Sequence, residues 1–218
     1  MTVMQSIVTR PKPGRRHDAI ALAVEASKLL ERHGADDSRL LAAQVAGEMS
    51  GTHVFTTEFE NGAAWGEFTD SLYADAELQS LLDRVERDDS PVDTVAMSIV
   101  TEIALGRNGP TRRGSVVEAY ISRVLPGRFD GAVGLANTVF DFVERQGGTN
   151  CRLSQMSSAG TMTDCLVASW ELENMQAVGR LGDAYTGEPE GQRIMEILVG
   201  TDGPITPVAS GIYTEIPL

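Results

Sequence analysis

The sequence predicts an α+β protein made of two tandem βαββαβ repeats whose sheets pack against each other inside one chain. Three observations carry this prediction. The chain matches itself without gaps at an offset of 113 residues. Both copies switch between the apolar periods typical of strands and of helices. Each copy alone would leave one face of its sheet uncovered, so the second copy is the natural cover.

The internal match is strong. Of the 103 residue pairs formed between 3–105 and 116–218, 34 are identical, whereas chance pairing at ordinary composition gives about 7%. A period of this length indicates two domain-sized units, since solenoid repeats are much shorter. We therefore predict repeat 1 at residues 1–105, a linker at 106–115 and repeat 2 at 116–218.

Each copy contains the signals of four strands and two helices. The segments "VMQSIVTR" and "VVEAYISR" alternate with period two and predict the first strand; "TVAMSIVTEIAL" and "PVASGIYTEIPL" predict the last. Between them, the first helix ends at a glycine, Gly34 or Gly147. A turn at 50–51 or 163–164 joins the two middle strands, and an asparagine, Asn61 or Asn174, caps the second helix. This order is the ferredoxin-like arrangement.

Composition excludes several classes of protein. The net charge of −13 opposes binding to nucleic acid, which depends on Lys and Arg neutralising phosphates. No apolar run approaches the length of a membrane span, and the N-terminus does not resemble a signal peptide. We expect a cytoplasmic protein with free cysteines, since Cys151 and Cys165 form no CxxC pair.

The stretch "EFENGAAWGEFTDSLYADAELQSLL" resembles the dimeric α+β barrel superfamily, especially its NIPSNAP and antibiotic-biosynthesis-monooxygenase-type members. The resemblance covers both repeats. It implies a barrel that is usually formed by two chains and here by one pseudo-dimeric chain. It also implies a range of activities: cofactor-independent monooxygenases, polyketide cyclases, haem-binding and haem-degrading enzymes, and proteins with no settled activity.

Alternation along the strands predicts which side chains point into the barrel. On strand 4 we place Val95, Met97 and Ile99 under the helices, so the opposite face, with Glu102 and Glu215, looks inward. For strand 3 the inward set follows from the resemblance. The predicted inward residues of strands 1 and 3 are Gln5, Ile7, Thr9, Glu118, Tyr120, Ser122, His53, Phe55, Thr57, Phe59, Leu166, Ala168, Trp170 and Leu172.

These faces predict a small-molecule site in the barrel, weighted towards repeat 2. The predicted catalytic residues form one inward patch: Glu118, Tyr120, Tyr213 and Glu215. The predicted substrate-binding residues are Trp170, His53, Phe55, Phe59 and Glu102. Each assignment has a structural alternative. Glu102 and Glu215 can instead pair with arginines, and Glu58 and Glu171 are interpreted as salt-bridge partners of a helix-1 arginine.

The favoured function is an enzyme that acts on a small aromatic or polyketide-like metabolite, by acid/base-initiated cyclisation or by oxygenation without a cofactor. A haem protein that uses His53 as iron ligand is the first alternative, and a non-catalytic ligand-binding or assembly protein is the second. No metal site is predicted, because His53 has no cluster of partners. The sequence leaves open whether two of these pseudo-dimeric chains form a homodimer, and it does not identify the substrate.

Overall fold

The computed structural model describes residues 1–107, 111–200 and 202–218. Residues 108–110 of the predicted linker and Thr201 of repeat 2 lie outside the described residues. The first half comprises β1 (Val3–Pro11), α1 (Arg16–Arg32), β2 (Asp37–Val45), β3 (His53–Phe59), α2 (Gly62–Tyr73), α3 (Ala76–Glu86) and β4 (Val92–Ile103). The second comprises β5 (Val116–Val124), α4 (Phe129–Arg145), β6 (Thr149–Ser158), β7 (Cys165–Leu172), α5 (Met175–Gly187), α6 (Pro189–Val199) and β8 (Ile205–Ile216).

The eight strands close into a barrel in the order β1-β3-β2-β8-β5-β7-β6-β4. Each half contributes four neighbouring antiparallel strands, and the halves join where β2 pairs with β8 and β4 pairs with β6. Helices cover the outside of each half. The predicted fold class, two ferredoxin-like units that form an intramolecular α+β barrel, is confirmed. Among the described residues, no helix is both long and apolar enough to cross a membrane.

One detail of the predicted order is incomplete, because two helices rather than one follow the third strand of each half. Asn61 and Asn174 cap α2 and α5 by accepting hydrogen bonds from the next turn, as predicted. In the first half the helical segment is interrupted after α2, and the side chain of Asp75 caps α3 by accepting hydrogen bonds from the backbone N–H groups of Glu77 and Leu78. In the second half, Pro189 starts α6, the helix position where its missing N–H costs nothing.

The predicted inward faces of strands 1 and 3 are wrong. Gln5 pairs with Ile99 and Ile7 with Met97, and directly opposed residues of antiparallel strands share a face. Because strand 4 turns Met97 and Ile99 towards the helices, Gln5 and Ile7 also face the helices. The second half follows the same pattern, with Glu118 opposite Ile212. A sheet that is covered on both faces shows weak alternation, so a one-residue error reversed the whole set.

The barrel interior holds two ion clusters at equivalent positions. Arg39 of β2 contacts Glu171 (Nη1 to Oε1, 2.6 Å) and Glu215 (Nη2 to Oε2, 3.0 Å). Arg152 of β6 contacts Glu58 and, at 3.1 Å, Glu102. Each arginine therefore reaches from one half to two carboxylates of the other. The expected salt bridges of Glu58 and Glu171 exist, but their arginines lie on strands of the opposite half rather than on the first helix.

Candidate functional site

A cavity of about 420 Å³ lies between the sheet of the first half and its three helices. Its floor consists of helix-facing residues from four strands in cross-strand rows: Thr9, His53 and Thr94; Ile7, Phe55, Leu40 and Met97; Gln5, Thr57 and Ile99. Its roof is almost entirely apolar and comes from α1, α2 and α3, chiefly Ala23, Ala26, Leu30, Trp65, Phe68, Leu72 and Leu81. Such apolar walls with a few polar groups are usual for small-molecule sites.

His53 provides the polar group at one end of the cavity. The residue is only 3% exposed to solvent, and burial lowers the pKa of its imidazole, with the charge of Arg16 acting in the same direction. The ring is therefore neutral at pH 7. Within the described part of the chain, no side chain or backbone group hydrogen-bonds to it. Both ring nitrogens are available to a bound molecule as one donor and one acceptor.

Gln5 and Thr57 provide the polar groups at the other end. The indole Nε1–H of Trp65 donates to Gln5 Oε1 at 3.3 Å, which orients the amide and leaves its N–H₂ group as a double donor. Thr57 lies directly opposite Gln5 on β3. Since His53 and Thr57 are four residues apart on one strand, the two ends of the cavity are separated by roughly 13 Å along the sheet.

The equivalent space in the second half is filled by aromatic side chains. Trp170, which is 2% exposed, donates its Nε1–H to Glu118 Oε2 at 2.7 Å. Tyr120 stacks on the indole with ring centroids 5.2 Å apart, and Phe140 contacts its edge. Burial raises the pKa of Glu118, partly offset by the Trp170 hydrogen bond. Burial, with the nearby Glu118, also raises the pKa of Tyr120 to about 12.

The structure does not bring the four predicted catalytic residues together. Glu118 and Tyr120 face the helices, whereas Tyr213 pairs with Val117 and faces the barrel interior with Glu215. Burial opposes ionisation of Glu215, but hydrogen bonds from Arg39 and Arg113 outweigh it and lower the pKa. The single inward patch was a consequence of the wrong strand register. Whether any of the four acts in catalysis stays a prediction.

Of the predicted substrate-binding residues, His53 and Phe55 line the cavity. Phe59 packs against Phe68 in the core, with their ring centroids 4.7 Å apart. Trp170 lies in the packed core of the second half, and Glu102 forms an ion pair with Arg152. Sequence reasoning missed Gln5, Thr57 and Trp65 as one group. The available signal was the contrast with the second copy, where a glutamate and a tryptophan occupy the positions of Gln5 and Thr57.

The donor groups of the described residues limit which metal ions or cofactors the protein could hold. Among the described residues, no group of three or more His, Cys, Asp or Glu side chains is arranged to hold a metal ion. Haem takes a histidine as axial ligand, and His53 is a candidate for that role. However, the described lining residues include no Lys or Arg to meet the propionates. The donor set therefore does not fit haem.

No family model matches the chain, and no curated protein resembles it significantly in sequence. Solved structures do match. An anthrone oxidase-like protein is 15% identical with a TM-score of 0.64, over 99% of this chain and 91% of that chain. A proposed monooxygenase from Fusobacterium nucleatum subsp. nucleatum is 7% identical with a TM-score of 0.61, over 99% and 93%. A variant chlorite dismutase from Candidatus Nitrospira defluvii is 7% identical with a TM-score of 0.55, over 99% and 92%. At such identities the likeness establishes the fold alone, an α+β barrel closed within one chain.

Proposed function

We propose that the protein is an oxygenase that acts without a cofactor on a small, uncharged aromatic or polyketide-like molecule bound in the first-half cavity. One observation carries the proposal. An apolar cavity presents a neutral, unbonded imidazole at one end and oriented hydrogen-bond donors at the other. The described lining residues carry no full charge at neutral pH, which favours an uncharged ligand over an anion or a cation.

The dimensions favour a flat molecule of several fused rings. Its ring system would lie along the sheet between Phe55 and the roof residues, with Trp65 beside it. One oxygen of the substrate would accept from the Gln5 amide and from Thr57. Its acidic C–H or phenolic O–H would then lie at the His53 end. The similarity to an anthrone oxidase-like protein supports this substrate class, and the similarity to a proposed monooxygenase supports the type of reaction.

The chemistry would begin with proton transfer to His53. A general base must be unprotonated at the working pH to accept a proton, and the neutral imidazole of His53 satisfies this. As the proton leaves, negative charge delocalises onto the distant oxygen, where Gln5 and Thr57 stabilise it. The electron-rich anion then reacts with dioxygen. For an activated CH₂ group the balance is CH₂ + O₂ → C=O + H₂O. Cyclisation, the alternative, starts with the same proton transfer and consumes no dioxygen.

We further propose that the two halves arose by tandem duplication and that the second half serves as scaffold. The 34 identities in 103 pairs support common descent of the halves. The first half is hollow and carries an unbonded histidine, whereas the second is packed around Trp170. A division of roles of this kind would explain why the helix-facing strand positions 5, 7, 53 and 57 carry different residues from their counterparts at 118, 120, 166 and 170.

The test is dioxygen uptake and product formation with anthrone-type and hydroxynaphthalene substrates. His53→Leu copies the residue found at position 166 and should lower kcat about 10²–10⁴-fold, the usual contribution of a general base. Glu118→Gln is the matched control in the second half and should leave turnover unchanged. Equal losses in both variants would contradict the assignment of the site. Tight binding with no turnover would instead favour a non-catalytic ligand-binding protein.

The haem alternative is separated by a direct measurement. Haem added to the wild-type protein and to His53→Leu should give the same spectrum as free haem if the cavity takes an uncharged aromatic ligand. A Soret band that appears in the wild type and vanishes in His53→Leu would replace the oxygenase proposal with a haem protein.

A further inference from the structure

Two strands of the barrel are longer than the partners that close the barrel against them. β4 and β8 each contain 12 residues, but β6 pairs with β4 only from Ile99 onwards, and β2 pairs with β8 only from Ile212 onwards. We call the preceding stretches the β4 edge (residues 92–98) and the β8 edge (residues 205–211). Most residues of both edges are exposed to solvent.

At the β4 edge, the backbone groups of Thr94 and Met97 point away from β1. The carbonyl of Pro91 accepts a backbone hydrogen bond from the residue that follows β1, at 2.9 Å. Because backbone direction alternates along an antiparallel strand, Thr94 then faces the other side. Beyond the bulge in this pairing, the carbonyl of Ile99 accepts from a serine of β6 at 3.2 Å, so Met97 also faces that side. Within the described residues, these two N–H and two C=O groups meet no further strand.

The β8 edge has the same construction but is blocked. Pro207 occupies the position of Thr94 and has no N–H to donate. Both residues sit at the same place in the ladder, opposite Ser122 and Thr9 respectively. Proline on a free edge is a common protection against pairing with another chain. Of these two edges, the β4 edge alone keeps its full set of donors.

The side chains of the β4 edge are also suited to a contact with another chain. Val95 is 44% exposed and Met97 is 57% exposed. Asp93 is the one charged residue of the edge, and its carboxylate lies 3.7 Å from Nζ of Lys12. Two copies therefore meet here without bringing unpaired like charges together, although each chain has a net charge of −13.

The β4 edge borders the cavity of the first half. Thr94 and Met97 are exposed and line the cavity, together with Ser98 and with Ser158 at the end of β6. The cavity therefore reaches solvent where β4 separates from β6. A strand added to the β4 edge would run across this opening.

We propose that the β4 edge pairs with the β4 edge of a second copy of this chain, so that a two-fold dimer covers this opening of the cavity. A two-fold contact uses the same surface on both copies and closes on itself. With two open edges, β4 of one copy could pair with β8 of the next and build an open filament. Pro207 blocks that arrangement and leaves β4 with β4 as the pairing between copies. The inference concerns the cavity of the proposed function but does not depend on turnover.

Sedimentation equilibrium of the intact protein tests the dimer. We expect the wild type to associate from 23.4 kDa to twice that mass. Thr94→Pro copies position 207 and removes one donor from each copy, so the dissociation constant should rise about 10–100-fold, the factor for two ordinary hydrogen bonds. Met97→Lys places a charge on each edge and should also weaken the dimer.

The matched control is Ser210→Lys, which makes the equivalent change at the β8 edge and should leave the dissociation constant unchanged. A wild type that stays monomeric would overturn the proposal and leave the β4 edge to a strand of another protein. A dimer that neither Thr94→Pro nor Met97→Lys weakens, or that Ser210→Lys weakens as much, would overturn it as well.

Hydrogen–deuterium exchange at low and high protein concentration locates the contact. Residues 92–98 should exchange more slowly when the protein is dimeric, whereas residues 205–211 should exchange at the same rate in monomer and dimer. A dimer that protects other segments and leaves 92–98 unchanged would contradict the assignment of the interface. Because neither measurement involves catalysis, the oxygenase proposal can fail while this one stands, and the reverse.

Discussion

The two halves of the barrel share their order of elements but differ in how they fill the space between sheet and helices. In the second half, sixteen of the described residues are buried in one core cluster that occupies this space. In the first half the core is divided into two smaller clusters beside the cavity. The difference lies in side-chain volume at equivalent positions: Thr57 against Trp170, Ile7 against Tyr120, Ser27 against Phe140, Ala26 against Val139 and Leu72 against Tyr185. Where the second half places an aromatic ring, the first half leaves part of the cavity.

The two helix pairs, α2 with α3 and α5 with α6, also differ in how closely they pack. In the second half, a side chain at Gly191 would lie 2.5 Å from the carbonyl oxygen of Ala184, so only glycine allows α5 and α6 to approach so closely. The first half has Leu78 at this position. Its side chain is buried among Leu29 and Leu81 and separates α2 from α3. A glycine in one copy and a leucine in the other thus help to decide which copy is closed.

The largest effect is expected when the cavity of the first half is filled with the side chains found at the equivalent positions of the second half. Thr57→Trp combined with Ile7→Tyr copies the stacked pair of Trp170 and Tyr120. The new indole would occupy the Gln5 end and remove the donors from the ligand. We expect ligand affinity to fall at least about 100-fold, or about 2.7 kcal/mol, measured by titration calorimetry. Unchanged affinity in a folded variant would show that the ligand binds outside this cavity.

The opposite exchange should affect stability rather than binding. Trp170→Thr copies position 57 and removes a 2% exposed indole that stacks on Tyr120 and donates to Glu118. Large-to-small changes of this kind cost about 3–5 kcal/mol in unfolding free energy, and Glu118 would also lose its donor. Urea unfolding followed by circular dichroism measures the effect, with Thr57→Ala as control. A loss below that of the control would mean that the second half is less well packed than the structure indicates.

The sequence was sufficient to predict the fold but not the candidate site. The self-match, the capping asparagines and the strand alternation were enough for the barrel, because each is a local signal repeated in both copies. The site depended on which face of β1 and β3 meets the helices. Gln5, Ile7 and Thr9 mix polar and apolar side chains, so their alternation does not reveal this. The register follows from pairing with β4, a tertiary relation that no single strand contains.

The ion clusters at the junctions offer a test of what the halves share. Arg39 is 8% exposed, and Arg39→Met leaves the buried carboxylates of Glu171 and Glu215 without their common partner. Removing one member of a buried ion pair costs about 3–5 kcal/mol. We expect the lower end of that range, because Glu171 keeps Asn150 (3.0 Å) and Glu215 keeps Arg113 (2.9 Å). The measurement is the thermal midpoint of Arg39→Met beside Arg152→Met. A double variant no less stable than the wild type would show that these clusters do not hold the halves together.

The smallest effect concerns the pH dependence of stability and sets His53 against Leu166, its equivalent in the packed half. Burial, and then Arg16, lower the pKa of His53 in the folded protein. The unfolded chain therefore binds more protons at this residue, and the stability that depends on its neutral form is present above the unfolded pKa and lost as pH falls towards the folded pKa. His53→Leu removes the group, so the difference in unfolding free energy between variant and wild type should grow in favour of the variant as the solution is acidified below about pH 6.5. Urea titrations at several pH values measure this difference, with His17→Leu as the control for an exposed histidine. A difference that stays constant with pH would mean that the imidazole is hydrated in the cavity, and that the first half holds water where a ligand is expected.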